Sequence, residues 1–114
     1  MNKTNTKFTQ RTALYESVKH IFDSVFFEIQ SMAKKKPDGT LSKAKISHLN
    51  RILTDIKLIF DGYPEAKYLD LLDDDELPQF SDALLILAQY DGALKSFRNK
   101  HWKFNGIDWD WMKN

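Results

Sequence analysis

Apolar residues recur at alternating intervals of three and four positions in three separate stretches of this 114-residue chain. That spacing places one apolar stripe along a helix, so it predicts amphipathic α-helices that bury their stripes against one another. The stripes are Tyr15, Val18, Phe22, Val25, Ile29 and Met32; then Ile46, Leu49, Leu53, Ile56 and Phe60; and finally Phe80, Ala83, Leu87, Tyr90, Leu94, Phe97, His101 and Phe104.

Capping residues predict where the first two helices start and stop. Three consecutive lysines, Lys34 to Lys36, suit the negative end of a helix, and Pro37 to Gly39 then stop it. The first helix is therefore predicted from about Thr9 to Lys36. Ser42 is a good N-cap for the second helix, and Gly62 is a suitable residue to end it.

Two more features lie between the second helix and the last one. Residues from Pro64 to about Leu72 are predicted to form a short helix. The acidic run Asp73 to Glu76 would oppose the dipole at a helix C-terminus but favours it at an N-terminus. We therefore predict that this run lies just before the last helix, which starts near Pro78 or Ser81.

These elements predict an all-α fold, a compact bundle of three long helices and one short helix. The whole chain, residues 1–114, is predicted to be one domain because its length suits a single core. Residues 1–8 are predicted to be a flexible N-terminus. Residues 105–114 are predicted to be a short, aromatic, non-helical tail after the last helix.

The sequence around Asn105 and Gly106 is compatible with two structures. Asn-Gly between alternating apolar residues is typical of a two-residue hairpin turn, which would place Trp102 opposite Trp109. The helical stripe continues through Phe104, however, and basic residues crowd the last turns, as they do at helix C-termini. An isolated hairpin is also marginally stable in water. We therefore favour a helix that runs to Phe104 and is capped by Asn105 and Gly106.

Several kinds of chemistry lack their characteristic residues. The chain has no cysteine, which excludes disulfides and cysteine metal sites. Its histidines, His20, His48 and His101, do not have the spacing of zinc or di-iron motifs, and the acidic run lacks the glycine of a calcium loop. Glycine-rich phosphate loops are also absent. We therefore predict no catalytic, cofactor-binding or metal-binding residue and no enzymatic activity, and no motif identifies a family.

Charge is distributed unevenly along the chain, although the net charge is only +1. Residues 1–51 hold 10 Lys and Arg against 4 Asp and Glu, whereas residues 52–114 hold 7 against 12. The two halves attract each other within one fold, or the basic half forms a face for an acidic partner. The second possibility includes single-stranded nucleic acid, whose unpaired bases would stack on tryptophan.

The function that we predict is protein binding, by a small cytoplasmic module that acts as an adaptor, an inhibitor or an accessory subunit. Its partner is another protein or a second copy of itself; nucleic acid is the alternative, and no segment is apolar enough to predict a membrane span or signal sequence. Tryptophan is common at interface hot spots, and the last 14 residues hold all three. The candidate partner-binding residues are the aromatic anchors Trp109, Trp111 and Trp102 and the apolar residues Phe27, Leu58 and Leu85. Whether the terminal rings cover this bundle or a partner stays open at this point.

Overall fold

The computed structural model describes the backbone of residues 3–112 and the side chains of residues 7–112. Its elements, in chain order, are α1 (Lys3–Lys35), α2 (Lys43–Ile59), a short 3-10 helix (Pro64–Tyr68), α3 (Phe80–His101), β1 (Trp102–Phe104) and β2 (Trp109–Trp111). The prediction of a mostly helical chain with three long helices and one short one is confirmed. The described residues after the last helix are non-helical, as predicted, but they do not form a simple tail, because β1 and β2 pair as antiparallel strands.

Helix α1 is the surface on which both α2 and α3 pack. Its buried face is the predicted stripe, but the helix starts at Lys3, earlier than the predicted Thr9. Phe8 extends the stripe by two turns, since its ring lies 5.0 Å from the His101 ring and 6.3 Å from the Phe97 ring. The predicted flexible N-terminus is therefore helical from Lys3, and residues 1 and 2 lie outside the described residues.

The buried side chain of Arg11 in α1 caps the C-terminus of α2. Its guanidinium donates hydrogen bonds to the carbonyl oxygens of Ile59 and Asp61, the latter at 2.6 Å, and lies 4.4 Å from the centre of the Tyr63 ring. The last carbonyls of a helix lack partners within the helix, and a positive charge there also suits the helix dipole. Arg11 therefore ties the end of α2 to the beginning of α1.

The loop after α1 caps the N-terminus of α3 in a similar way. The amide of Phe80 donates to the Gly39 carbonyl at 2.7 Å, and the amide of Ser81 donates to the Pro37 carbonyl at 3.2 Å. A β-carbon on Gly39 would lie only 2.6 Å from Cε2 of Phe80, so this approach requires glycine. The same loop leads into α2, where the predicted N-cap is confirmed: Ser42 Oγ accepts a hydrogen bond from the Lys45 amide at 3.2 Å.

The segment between α2 and α3 is held by side chains of both helices. The side-chain amide of Asn50 in α2 donates to the Leu72 carbonyl and accepts from the Leu72 amide, each at 2.9 Å, as the backbone of a neighbouring strand would. Tyr90 of α3 donates its hydroxyl proton to the Asp70 carbonyl at 2.7 Å, and burial raises the pKa of Tyr90. Because these bonds hold the backbone in an extended form, the short helix ends at Tyr68 rather than near Leu72.

Helix α3 starts at Phe80, between the two predicted positions, and the acidic run Asp73 to Glu76 precedes it, as predicted, but lies outside its first turn. Three residues separate it from Phe80, and the acidic residue in the first turn of α3 is Asp82. The carboxylate of Asp73 instead accepts the amides of Asp75 at 2.8 Å and Glu76 at 3.2 Å, which closes a local turn. Aspartate competes well for such turns because its short side chain reaches the backbone two residues on.

No helix among the described residues is long and apolar enough to cross a membrane. The buried core instead runs along the interior between the helices, and its largest fully buried side chains include Phe22, Phe60, Tyr90 and Phe97. Phe97 lies near the C-terminal end of α3, so the core reaches the position at which the hairpin begins.

We predict that Arg11→Met lowers the free energy of unfolding by about 1.5–3 kcal/mol, the usual contribution of hydrogen bonds to a charged group. Methionine keeps much of the apolar stem but leaves the carbonyls of Ile59 and Asp61 without their donor. Urea denaturation followed by circular dichroism measures the change. Arg11→Lys is the matched control. It should lose less stability than Arg11→Met, because its ammonium keeps the positive charge and can still donate, although it lacks the fork that reaches both carbonyls. An unchanged midpoint in Arg11→Met would show that the cap contributes nothing.

Candidate functional site

The C-terminal residues form a two-stranded hairpin that continues directly from α3. Its register pairs Trp102 with Trp111, Lys103 with Asp110, and Phe104 with Trp109. The favoured prediction of a helix to Phe104 is wrong, since α3 ends at His101 and Trp102 has an extended backbone. The alternative two-residue turn is also wrong in register, because it would have paired Trp102 with Trp109.

A four-residue loop joins the two strands. The side-chain oxygen of Asn105 accepts the amides of Ile107 and Asp108, each at 2.9 Å, and the Asn105 amide donates to the Asp108 carbonyl at 2.9 Å. Gly106 has a φ of +100°, a conformation that other residues rarely adopt. Asn105 and Gly106 thus form a turn as their sequence indicates, but a longer one than the two-residue type.

All four aromatic residues of the hairpin lie on one face of it. Residues directly opposite each other share a face, and side chains alternate along each strand. Trp102 and Trp111 therefore form an inner pair, with ring centres 5.0 Å apart, and Phe104 and Trp109 form an outer pair at 5.8 Å. Lys103 and Asp110 lie on the opposite face.

Trp111 of the inner pair packs on this protein's own bundle. Its ring lies edge-on to Tyr15 of α1 at 5.0 Å and at 5.6 Å from Phe97 of α3. Its indole Nε1 donates to Glu16 Oε1 at 2.7 Å, a bond strengthened by the carboxylate charge. Trp111 therefore joins α1 to the hairpin and covers the end of the core.

His101 fastens the second strand to the end of α3. The Met112 amide donates to the His101 carbonyl, and His101 Nδ1, which must carry a proton to do so, donates to the Met112 carbonyl at 3.2 Å. The imidazole is buried between the rings of Phe8 and Phe97, with centres 5.0 and 4.8 Å away. Burial lowers the pKa of His101, and the charges of Lys100 and Lys103 lower it further, against a raising effect of the Met112 hydrogen bond.

The outer part of the hairpin is exposed. We call Phe104, Ile107 and Trp109 the hairpin tip; their side chains are 56%, 87% and 60% exposed. Trp102 lies between the two regions, half-buried beside Trp111, with the Arg98 guanidinium 5.2 Å from its ring centre. One continuous aromatic face is thus closed over the core at its inner end and open to solvent at its outer end.

The other three candidate residues are each more than half exposed but do not lie together. Phe27 lines a shallow groove between α1 and the start of α3, beside Leu84. Leu85 follows Leu84 on α3, on the side opposite the buried stripe. Leu58 is near the end of α2 that Arg11 caps, so it lies towards the opposite end of the molecule from Phe27.

The exposed acidic run brings together the carboxylates of Asp73, Asp74 and Asp75, whose oxygens lie within 4.8 Å of one another. One of these carboxylates already accepts two backbone amides, as described above. Exposed acidic turns are common without an ion, so this cluster is not by itself evidence of a metal site.

The sequence reasoning missed Phe104 and Ile107 as members of the exposed site. It assigned Phe104 to the buried stripe of α3 and Ile107 to a contact that accompanies a helix cap. The alternation of apolar and polar residues on both sides of Asn105 and Gly106 was the signal for the hairpin. The longer helical period overlaps with this signal, because it extends into β1 by coincidence.

Comparisons of the chain with protein-family models, with curated proteins and with solved structures found no match.

We predict that the two tryptophans of β2 differ in their effect on stability. Replacing fully buried Trp or Phe by alanine typically costs about 3–5 kcal/mol, so the half-buried Trp111 should cost somewhat less, about 2 kcal/mol, in Trp111→Ala. Trp109→Ala should change stability by less than about 0.5 kcal/mol, as exposed substitutions usually do. Thermal or urea unfolding measures both. Equal losses in the two variants would contradict the division of the hairpin into an anchored and an open part.

We also predict that His101 makes the fold less stable at acidic pH. Because the folded-state pKa lies below the ordinary value of about 6.5, the unfolded chain binds the proton more readily. The contribution of neutral His101 is complete above pH 6.5 and decreases as the pH falls towards the folded-state pKa. Melting temperatures of the wild type, His101→Gln and the exposed control His20→Gln at pH 7.5 and pH 5 measure it. The drop should be smaller in His101→Gln alone; equal drops in all three proteins would be evidence against it.

Proposed function

We propose that this chain is a small protein-binding module, an adaptor, an inhibitor or an accessory subunit, whose hairpin tip contacts the partner. The observation that carries the proposal is the exposure of Trp109, 60%, on a hairpin whose inner end is anchored in the core. Interface hot spots are enriched in tryptophan, which removes a large area from water in one contact. Trp109 is therefore the proposed main anchor, with Phe104 and Ile107 beside it.

The anchoring of the hairpin favours binding because it limits the entropy lost on association. Trp111 is held by Tyr15, Phe97 and Glu16, and the end of β2 is bonded to His101. A surface that is already ordered in the free protein does not have to be ordered by the partner. This supports a role for Trp111 as a support for the tip rather than as a contact.

Side chains, rather than the backbone edge of β2, are the proposed contact. In this register the amide of Trp111 points away from β1, where it could pair with an added strand. The carboxylate of Asp110 already accepts that amide at 2.8 Å. A carboxylate on an edge strand also discourages strand addition. The partner is therefore proposed to bind the aromatic face of the hairpin.

Single-stranded nucleic acid remains a weaker alternative. Stacking on Trp109 would need cations beside the ring to hold the phosphates. The basic run Lys34 to Lys36 lies at the C-terminal end of α1, whereas the tip lies beyond the end of α3, and Asp108 and Asp110 flank Trp109 in sequence.

The cytoplasm is the proposed location, because a chain without cysteine needs no oxidising compartment.

Capture experiments with matched variants test the proposal. Immobilised wild type is compared with a Phe104→Ser, Trp109→Ser double variant, which changes only exposed side chains, and with a Leu58→Ser, Leu85→Ser control that removes the same number of exposed apolar residues elsewhere. We expect one protein to be captured specifically by the wild type. The tip variant should capture much less of it, whereas the control should capture as much as the wild type. Mass spectrometry identifies the captured protein, and circular dichroism confirms equal folding.

Other outcomes of the same experiment would contradict the proposal. Loss of capture in the control but not in the tip variant would move the site to α2 and α3. Captured material that disappears after nuclease treatment, together with oligonucleotide binding that weakens steeply with salt, would favour the nucleic-acid alternative.

A further inference from the structure

His101 is a buried histidine at the point where the hairpin joins the bundle. It is 5% exposed, and its ring lies between the rings of Phe8 and Phe97, whose centres are 5.0 and 4.8 Å away. The other two histidines of the sequence, His20 and His48, are exposed. Histidine ordinarily changes its charge between about pH 5 and pH 8. Of the three histidines, only His101 is therefore placed so that such a change acts on packed atoms.

A second proton on the imidazole would place an uncompensated charge at this position. Nδ1 already donates its proton to the Met112 carbonyl at 3.2 Å, so the second proton would go to Nε2. Within residues 7–112 no group accepts a hydrogen bond from Nε2, and the two neighbouring rings are apolar. A charge that loses water without gaining a partner is unfavourable, and burial accordingly lowers the pKa of His101. The neutral ring is therefore the form that fits the closed hairpin.

Charged side chains around the imidazole do not compensate for this charge. On the parts of the neighbouring elements next to the base of the hairpin, the described charged residues are Lys7, Arg11 and Glu16 of α1, Arg98 and Lys100 of α3, Lys103 of β1 and Asp110 of β2. Lys100 and Lys103 lower the pKa of His101 further, against the opposing effect of the Met112 hydrogen bond. The two carboxylates are engaged elsewhere, since Glu16 accepts the indole proton of Trp111 and Asp110 lies opposite Lys103.

Few contacts hold β2 on the bundle, and His101 makes two of them. The Met112 amide donates to the His101 carbonyl, and His101 Nδ1 donates to the Met112 carbonyl. The other anchor is Trp111, whose ring packs on Tyr15 and whose indole donates to Glu16. Strands of three residues add little stability of their own, and elements with few contacts open at a lower free energy than the whole fold. Loss of the His101 contacts therefore affects the hairpin before the rest of the bundle.

We propose that a second proton on His101 releases β2, so that the hairpin is closed near neutral pH and open in acid. The charged ring leaves the space between Phe8 and Phe97 for water, and its hydrogen bond to Met112 is lost. The strand then keeps too few contacts to stay on the bundle and separates from β1. A buried histidine that controls a weakly held element is a common basis of pH sensing.

Release of β2 also changes the hairpin tip. Phe104 and Trp109 lie on different strands, so the release separates two rings whose centres are 5.8 Å apart in the closed hairpin. A partner that binds the ordered tip would then have to order it, which weakens binding. The inference rests on the proposed function of the tip and gives that site a regulation by pH.

The direction of the pH dependence follows from the difference in proton affinity between the two forms. An open hairpin exposes the imidazole of His101 to water, where its pKa is about 6.5, whereas the closed hairpin holds the pKa lower. The open form therefore takes up the proton more readily, and opening increases as the pH falls below about 6.5. Because one proton is involved, the equilibrium constant for opening increases by at most about tenfold per pH unit and becomes constant below the closed-state pKa.

Hydrogen exchange of backbone amides, measured by NMR at several pH values from about 7.5 to about 5, tests the release of β2 without a partner. The amide of Met112, which is bonded to His101, reports on the hairpin, and the amide of Leu53 in the middle of α2 reports on the bundle. Protection is calculated against an unfolded peptide at the same pH. The proteins are the wild type, His101→Gln, which keeps a neutral donor but does not titrate, and the exposed control His20→Gln.

In the wild type and in His20→Gln, we expect the protection of Met112 to fall below about pH 6.5, by up to about tenfold per pH unit, while Leu53 keeps its protection. The fall should end at the midpoint of the His101 ring titration, which NMR measures in the same samples, and His101→Gln should show no fall. Constant protection of Met112 in the wild type, or equal losses at Met112 and Leu53, would overturn the proposal. These readouts all exist in the wild type, so they decide the question even if His101→Gln does not fold.

Capture of the partner at the two ends of the same pH range separates the regulation from the proposed function. We expect the wild type to lose capture in acid and His101→Gln to keep it. Equal capture by the wild type at both pH values, although Met112 opens, would overturn the regulation and leave the proposed function intact. If the Phe104→Ser, Trp109→Ser variant captures as much as the wild type at neutral pH, the proposed function fails, whereas the exchange of Met112 still decides whether the proton releases β2.

Discussion

Helix α1 is the element on which the rest of the structure depends. Both other long helices pack against it, and their ends are capped by α1 and the loop after it. Arg11 of α1 holds the carbonyl end of α2, and the loop carbonyls of Pro37 and Gly39 hold the amide end of α3. Helix termini that would otherwise lack partners are therefore satisfied by α1 and its loop. The apolar stripe of α1 determines which helices pack on it. The polar contacts determine the positions along α1 at which α2 ends and α3 begins.

The hairpin depends on the same helix. Two strands of three residues would be marginal in isolation, but here Tyr15 and Glu16 of α1 hold Trp111 by a ring contact and a hydrogen bond. Of the inner pair, Trp111 contacts α1 and packs against the core, whereas Trp109 of the outer pair does not. The position of one helix thus divides a set of similar residues into structural support and exposed surface.

The apolar period was sufficient to predict the three helices and most of the core, and the type of residue at position 42 was sufficient to predict the cap, because these depend on residues close in sequence. It could not predict the function of Arg11, whose acceptors are some fifty residues away. It also failed at Phe104, where the helical and strand periods both fit. Contacts between Trp111 and α1 decide that choice, and no local pattern contains them. The exposure of Trp109 follows from the same contacts, so the sequence could nominate the three tryptophans but not separate them.

The uneven charge along the chain is partly balanced within the fold. Lys43 and Arg51 of α2 line one surface groove together with Asp55 and Asp74, so the acidic run lies beside the basic half of the chain. The ion pairs among the described residues, in contrast, join neighbours within α1 and within α3, so this balance acts at longer range. Lys34 to Lys36 at the end of α1 and Asp108 with Asp110 in the hairpin are not brought together in one molecule. Asp110 instead lies directly opposite Lys103 across the hairpin, so charge in the hairpin is also balanced locally, as cross-strand pairs of opposite charge usually are.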